Sequence, residues 1–402
     1  MIKIGILREE KIPEDYRVPF TPKQCKAIQE QYPEIQFVIQ PSKIRTYPIE
    51  RYEQEGITVQ EDLSVCDYLF GVKEVRTQDL IPNKTYFFFS HTKKAQPYNQ
   101  KLMHALIEKN IRMIDYECLT YEDGNRIVGF GKWAGIVGAH NGLLTYGKKY
   151  DKFDLPPAHS VEDFEELKTT YQNVNWPPMK IVVTGGGRVA SGLLEIMEVC
   201  GFEKVDKDVF VQNEYDKPVY VHLDIEDIYS RMDDSSFEKE DFFANAKDYC
   251  CPFREYTHSA DILMNGIYWD ENIPAYFAKE DIQHPDFRMN VISDVTCDKF
   301  GSVPINLGAT PINDPVYGID KKTFEKVAGY QNTNNVVDIM TVDNLPSELP
   351  KNASEHFGSV LGKTIIPEIL KADRSSILQN ATICENGKLT DQFSYLSEYA
   401  YV

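Results

Sequence analysis

Two stretches of this 402-residue chain place proton-transfer groups directly after apolar runs. In Tyr68-Leu69-Phe70-Gly71-Val72-Lys73-Glu74 the run ends in a Lys–Glu pair. In Tyr86-Phe87-Phe88-Phe89-Ser90-His91-Thr92-Lys93-Lys94 it ends in a histidine followed by lysines. A desolvated lysine loses enough basicity to act as a base near neutral pH, and histidine titrates there already. Taken singly, Lys73 reads as a solvated loop residue and His91 as a structural histidine. The repetition at two strand-like ends singles them out as an acid/base pair. A third stretch, Gly185-Gly186-Gly187-Arg188-Val189-Ala190, has the form of a turn that receives a dinucleotide. A lysine, a histidine and a nicotinamide together predict amine oxidation or imine reduction.

The glycine turn follows the apolar run 180–184 and precedes a helical pattern over 191–200 that stops at Gly201. Gly185 allows the tight turn, Gly187 lets the backbone approach a pyrophosphate, and Ala190 suits close helix–strand contact. The helix that follows would aim its N-terminal amides and dipole at the phosphates. Arg188 meets a phosphate or is solvated; the sequence leaves both open. An acid about 20 positions on would bind the ribose hydroxyls. Asp206 has that spacing, although Asp224 ends another strand-like run, 222–224. An acid there favours NAD over NADP, with NADP not excluded.

Arg17, in Tyr16-Arg17-Val18-Pro19-Phe20-Thr21-Pro22, follows the first strand-like run; Lys94 follows His91 by three, and Arg126 lies between two apolar runs. These cations suit carboxylate binding, arginine in bidentate fashion. Glu74 and Glu117 suit pairing with Lys73 or binding an amine. For each, a plain surface charge is the bland alternative.

The elements that must position these groups alternate. Residues 2–7, 37–39, 68–72, 86–90 and 112–115 read as strands, and 21–30 and 96–109 as helices, which predicts βαβ units and a mostly parallel sheet. Residues 129–146, rich in Gly and Ala, predict a long buried helix crossing between domains. Residues 154–178 read as a linker. Strands are expected at 219–223, 262–266 and 291–295, an acidic irregular insertion over 224–256, and helix from 345 onward with an interruption at Pro367. The expected class is α/β, with two Rossmann-like domains, parallel sheets and an interdomain cleft. The substrate domain is placed at 1–135, with 345–402 returning to brace it, and the dinucleotide domain at 136–344.

Hydrophobic residues make up 42% of the chain and aromatics 12%, enough for packed cores. The net charge of −19 argues against nucleic acid or an anionic membrane as partner, and means that an anionic substrate needs a local cationic pocket. There is no secretory leader pattern and no apolar run approaching the roughly 18–20 residues of a membrane span, so a cytoplasmic protein is expected. Eight scattered cysteines lack the spacing of a zinc site, so no metal is expected; adjacent Cys250 and Cys251 read as packing residues.

Longer motifs carry a resemblance. Residues 84–140, with Tyr86-Phe87-Phe88-Phe89-Ser90-His91-Thr92-Lys93-Lys94-Ala95-Gln96, Ile114-Asp115-Tyr116-Glu117 and Gly129-Phe130-Gly131-Lys132-Trp133-Ala134-Gly135, resemble the lysine–ketoglutarate reductase half of animal aminoadipic semialdehyde synthase. The likeness continues in Asn265-Gly266-Ile267-Tyr268-Trp269, Asp294-Val295-Thr296-Cys297-Asp298 and Asp343-Asn344-Leu345-Pro346-Ser347-Glu348-Leu349-Pro350. Fungal lysine-forming saccharopine dehydrogenases are similar at greater distance, and alanine dehydrogenase mainly in the first strand region and the glycine turn. The resemblance implies reversible conversion of saccharopine, water and an oxidised nicotinamide cofactor into lysine, 2-oxoglutarate and reduced cofactor. It implies Lys73 and His91 as the acid/base pair and Arg17 in the substrate site, with Glu74, Lys94, Glu117 and Arg126 near it, and Asn265, Gly266, Ile267 and Asp298 at the cofactor. The chain lacks the second half of the animal enzyme, so a saccharopine-cleaving partner would be a separate polypeptide. Two other readings stay open: reductive amination of a different 2-oxo acid, as in alanine dehydrogenase, and a cofactor-binding regulator without catalysis.

Overall fold

A computed structural model describes residues 1–371 and 375–401. By internal contacts the chain forms two units, Met1–Phe130 with Pro350–Val402, and Gly131–Leu349. Among the described residues, no helix is long and apolar enough to cross a membrane.

The first unit is built on an eight-stranded sheet in the order Lys388–Leu389, Thr382–Glu385, Arg112–Asp115, Thr85–Phe88, Tyr68–Phe70, Ile2–Ile6, Ile35–Ile39, Thr58–Val59. The strands from Arg112–Asp115 to Thr58–Val59 run parallel. Strands covered on both faces read as unbroken apolar runs, and Tyr86, Phe87 and Phe88 are fully buried. Ile6 pairs with Phe70, Phe70 with Phe87 and Phe88 with Asp115. Four consecutive strands therefore end level, and the segments after them emerge along one edge. The helix Pro22–Gln31 is started by its own sequence. Thr21 accepts from the Gln24 amide, the Gln24 side chain accepts from the Thr21 amide, and Pro22 opens the first turn.

The C-terminal segment is only partly the expected helix. Helices cover Pro350–Val360 and Ile366–Leu370, but Thr382–Glu385 and Lys388–Leu389 form a hairpin that extends the sheet antiparallel. Its signal is Asn386-Gly387, both with positive φ (53° and 72°), the residue pair that a tight hairpin turn requires. Part of the expected helix, 372–374, lies outside the described residues.

The second unit carries another eight-stranded sheet, ordered Lys326–Ala328, Val316–Asp320, Val336–Met340, Val291–Asp294, Ile262–Asn265, Lys180–Thr184, Val219–Leu223, Glu203–Lys204. The strands from Val336–Met340 onward are parallel, and the first two are antiparallel. Both sheets with their helices are of the α/β Rossmann-like kind. The helix Gly131–Tyr150 belongs to this unit from its first residue instead of joining two. It packs on the helix Arg188–Val199 backbone to backbone: a Cβ on Gly135 would stand 1.9 Å from the Val189 carbonyl oxygen, and one on Gly192 2.0 Å from that of Lys132.

Residues 224–256 are more ordered than their acidity predicts. The helices Ile225–Ile228 and Lys239–Ala244 and the ribbon of Ser230–Arg231 with Tyr249–Cys250 enclose Tyr229, Phe237, Phe242 and Tyr249. Aromatic burial organises the segment while its carboxylates face water. Cys251 packs against this core, whereas Cys250 is exposed and so is not the packing residue expected.

Candidate active site

The level strand ends of the first unit gather most of the predicted proton-transfer groups. Lys73 and Glu74 follow Tyr68–Phe70, His91 follows Thr85–Phe88, and Glu117 follows Arg112–Asp115. The His91 ring lies between two carboxylates. Its Nε2 is 3.9 Å from Glu74 Oε1, and its Nδ1 is 3.9 Å from Glu117 Oε2. Each carboxylate has a cation on its far side: Lys11 Nζ is 2.6 Å from Glu74, and Arg126 is 3.4 Å from Glu117. Glu74 and Glu117 are about nine-tenths buried, and Glu117 Oε2 accepts no hydrogen bond among the described residues.

The histidine is held by backbone and by rings. His91 takes positive φ (54°) at the start of a one-turn helix, Thr92–Lys94, and stacks on Phe89 at 6.2 Å between centroids. Beneath it, buried Asp115 accepts from the Ser90 amide (2.9 Å), the Ser90 hydroxyl and the Glu117 amide (2.7 Å). One side chain thus fixes the two segments that carry His91 and Glu117. Burial pushes the Asp115 carboxyl up to about 6, against the pull of those donors. Burial also lowers the pKa of His91, outweighing the opposing attraction of Glu74 and adding to the repulsion of Lys73. His91 is therefore neutral at neutral pH and free to accept a proton. Glu74 stays ionised: burial pushes it up, but the hydrogen bond and charge of Lys11 together hold it below the usual carboxylate range.

Arg17 and Asp15 form a buried pair, 3% and 1% exposed, joined through Nε to Oδ1 (2.9 Å) and Nη2 to Oδ2 (2.5 Å). The Arg17 guanidinium lies 4.2 Å over the Phe130 ring, and Phe130 meets Phe89, which carries His91. Part of the Arg17 fork is thus committed to Asp15, a constraint its sequence position did not disclose. Arg126 joins the cluster from an exposed hairpin. Lys94 is not gathered with the others; it sits exposed at the end of its one-turn helix.

Sequence reasoning missed two groups here. Lys11 is the ion partner of Glu74. Glu9 accepts from the amides of Val72 (2.7 Å) and Lys73 (2.9 Å), one on each carboxylate oxygen. The only trace in the chain is the charged run Arg8-Glu9-Glu10-Lys11 directly after the first strand, a position that reaches the same edge.

In the second unit the glycine turn caps the strand Lys180–Thr184. Gly185 has φ of +103°, and a Cβ there would stand 2.5 Å from the Gly266 carbonyl oxygen. Gly187 precedes the helix Arg188–Val199; among the described residues no side chain caps its amides, and a Cβ there would meet nothing within 4 Å. An uncapped helix N-terminus beside open space suits a phosphate. Arg188 is exposed at that end and Ala190 is buried.

The other predicted cofactor residues divide. Gly266 and Ile267 lie behind the turn, with Ile267 buried. The Asn265 side chain is consumed internally: its Oδ1 accepts from Thr184 and Tyr276, and its Nδ2 donates to Asp294 and Ser302. It braces the strand ends and offers no side-chain group to a ligand. Asp298 is exposed in the loop after Val291–Asp294. Asp206 is displaced from the place the spacing gave it. It follows the edge strand Glu203–Lys204, and the strand Val219–Leu223 lies between that edge and the glycine strand. There it caps a short helix by accepting from the Asp208 amide. Asp224, ending the adjacent strand, instead rests against the turn: a Cβ on Gly186 would stand 1.9 Å from Asp224 Oδ2. Strand order, which the residue count does not encode, places Asp224 and not Asp206 beside the turn.

Residues 5–137 match the family described as alanine dehydrogenase/PNT, N-terminal domain. Along 98% of its length the chain is 28% identical to alpha-aminoadipic semialdehyde synthase of Arabidopsis thaliana, and 28% identical to the mitochondrial protein of that name from Rattus norvegicus. It spans only 41% and 47% of those proteins. A saccharopine dehydrogenase [NAD(+), L-lysine-forming] of Emericella nidulans is 25% identical, with 90% of each chain covered. Among solved structures, an L-alanine dehydrogenase shares the fold, with a TM-score of 0.69 at 15% identity over 99% of this chain and 100% of its own.

Proposed function

We propose that this chain, a relative of alpha-aminoadipic semialdehyde synthase and of the lysine-forming saccharopine dehydrogenases, is an oxidoreductase that interconverts saccharopine with L-lysine and 2-oxoglutarate. The observation that carries the reading is the neutral His91 between Glu74 and Glu117, beside Lys73, at one strand edge. Such a cluster can move protons to and from an amine and a water.

In the oxidative direction, one of Lys73 and His91 takes the proton of the secondary amine as the carbon–hydrogen bond beside it is broken. A nicotinamide cofactor would supply the hydride acceptor. The other group takes a proton from the water that adds to the imine carbon and hands it to the nitrogen; the hydroxyl of the adduct then gives up its proton by the same route, the carbon–nitrogen bond breaks, and lysine leaves as the amine while the carbon becomes the 2-oxo group. Glu74 and Glu117 stabilise the imidazolium when His91 is charged, and the counter-cations Lys11 and Arg126 limit how far they raise its basicity. Arg17 and Arg126 suit the substrate carboxylates, Lys94 less so given its exposure. Gly185, Gly187 and the first amides of Arg188–Val199 would hold the pyrophosphate. Asp224, in place of Asp206, would bind the adenosine ribose and repel a 2′-phosphate, so NAD is preferred to NADP.

The match of residues 5–137 to the alanine dehydrogenase/PNT domain favours a second reading, amination of a 2-oxo acid by ammonia. One assay separates them. NADH and, separately, NADPH oxidation is followed with 2-oxoglutarate plus lysine, then plus ammonia, with saccharopine identified by mass spectrometry. The first reading expects oxidation that requires lysine and yields saccharopine. Oxidation with ammonia alone replaces it by the second. Binding of NADH without turnover of either mixture leaves the non-catalytic regulator.

A further inference from the structure

The turn that carries Lys73 is held by a side chain from a different segment. Val72 and Lys73 lie beyond the end of the strand Tyr68–Phe70. The amide of each finds one oxygen of Glu9, at 2.7 and 2.9 Å, across 63 and 64 residues of sequence. The carboxylate lies flat against the turn: a Cβ on Gly71 would stand 3.4 Å from Glu9 Oε1. From the opposite side, the Tyr116 hydroxyl donates to the Gly71 carbonyl (3.0 Å), and the Phe89 amide donates to that of Val72 (3.1 Å). With the Gly71 amide donating to the Phe87 carbonyl (2.9 Å), five hydrogen bonds fix three consecutive residues, and Glu9 supplies two of them.

We propose that Glu9 is a positioning residue, a carboxylate clamp that sets the Gly71–Lys73 backbone and thereby aims Lys73 for proton transfer. This rests on the reading of Lys73 as part of the acid/base pair. Only the ionised carboxylate can serve both amides. Protonation turns one oxygen into a donor and leaves one amide without its acceptor. The charged and titratable groups around Glu9 are Asp15, Arg17, Arg45, Lys73 and the Tyr116 phenol. Arg45 is 8% exposed, donates Nη2 to the Leu7 carbonyl, and has no partner for Nε or Nη1 among the described residues. Its buried charge favours the ionised clamp. Burial, reinforced by the repulsion of Asp15, works the other way and pushes the Glu9 carboxyl up to about 7. The clamp thus loosens as pH falls through neutrality, and a displacement near 1 Å at a reacting group costs on the order of 10²-fold in rate.

The test uses the full chain with Glu9→Gln and Glu9→Asp. The Gln amide keeps the size of the carboxylate but turns an N–H₂ toward a backbone amide, while Asp keeps both acceptors one methylene short. In the lysine-dependent assay, Glu9→Gln is expected to lower kcat by about 10- to 100-fold with KM values changed by less than about 3-fold, and to flatten the acid limb of the kcat–pH profile near pH 7. Glu9→Asp is expected to fall between. Independently of activity, acylation of Lys73 by acetic anhydride, read by mass spectrometry against exposed Lys204, should change about 3-fold or more in Glu9→Gln and not at Lys204. An unchanged kcat with unchanged Lys73 labelling overturns the clamp. Altered labelling in a chain whose wild type shows no lysine-dependent turnover keeps the clamp and discards the assigned reaction. If Glu9→Gln does not fold, Glu9→Asp carries both measurements.

Discussion

The two units prepare for ligands in opposite ways. At the strand edge of the first, chemistry is concentrated in side chains: His91 stands 3.9 Å from both Glu74 and Glu117, and Lys11 and Arg126 pair with those carboxylates at 2.6 and 3.4 Å. At the strand edge of the second, the site is made by side chains that are missing. Gly185, Gly186 and Gly187 leave backbone amides and open space, and the nearest acid, Asp224, lies where a Gly186 Cβ would be. A site built of titratable groups should fail by degrees with pH and charge. A site built of absent atoms should fail sterically and be indifferent to pH.

The largest effect expected is on the first unit. Lys73→Met and His91→Gln should each lower lysine-dependent turnover by roughly 10²-fold or more, the usual range for general acid–base groups, while NADH fluorescence titration stays near wild type. Loss of NADH binding in either variant would break the separation of roles. Next, Gly186→Val should weaken NADH binding by about tenfold or more, since its side chain would have to displace Asp224, and the loss should be the same at pH 6 and pH 8. A pH-dependent loss would contradict a steric cause. Asp224→Ser should shift the NADPH-to-NADH ratio of kcat/KM toward NADPH by about tenfold, whereas Asp206→Ser should leave it within about twofold. The reverse result would restore the acid chosen by sequence spacing.

The smallest effect compares two histidines. Burial lowers both, but for different ends. His91 keeps carboxylates within reach of each ring nitrogen. His140, wholly buried in the second unit, donates Nε2–H to the Pro156 carbonyl (2.8 Å), which leaves Nδ1 to accept from Tyr171 (2.8 Å). Burial pushes His140 down to about 4. Its folded pKa is thus below the unfolded value of about 6.5, so between those values the unfolded chain holds a proton that the fold refuses. Stability is lost as pH falls through this window, by up to about 3 kcal/mol from this group. The Tm of His140→Gln should therefore decline less between pH 7 and pH 4.5 than that of wild type. An equal decline would assign the acid sensitivity elsewhere.

Much of this was legible in the chain because it rests on local rules. Apolar runs such as Tyr86–Phe88 and the turn Gly185-Gly186-Gly187 announce themselves through burial and through φ, which depend on neighbours in sequence. The hairpin at Asn386-Gly387 is equally local, its signal set among helix-forming neighbours. Lys94 illustrates the opposite limit: its spacing three residues after His91 places a cation with the site, but the positive φ of His91 and Ala95 bounds the short helix between them and Lys94 faces water.

Sequence by itself determined the class of fold, the edge from which Lys73 and His91 emerge, and the glycine turn, because period, turn chemistry and strand ends are properties of short segments. Tertiary structure alone decided which charges meet. Lys11 finds Glu74 and Glu9 finds Lys73 across 63 and 64 residues, and Asp224 stands beside the glycine turn because Val219–Leu223, and not Glu203–Lys204, lies beside the glycine strand. Electrostatic energy depends on distance and burial, and neither quantity exists until strand order and register are set.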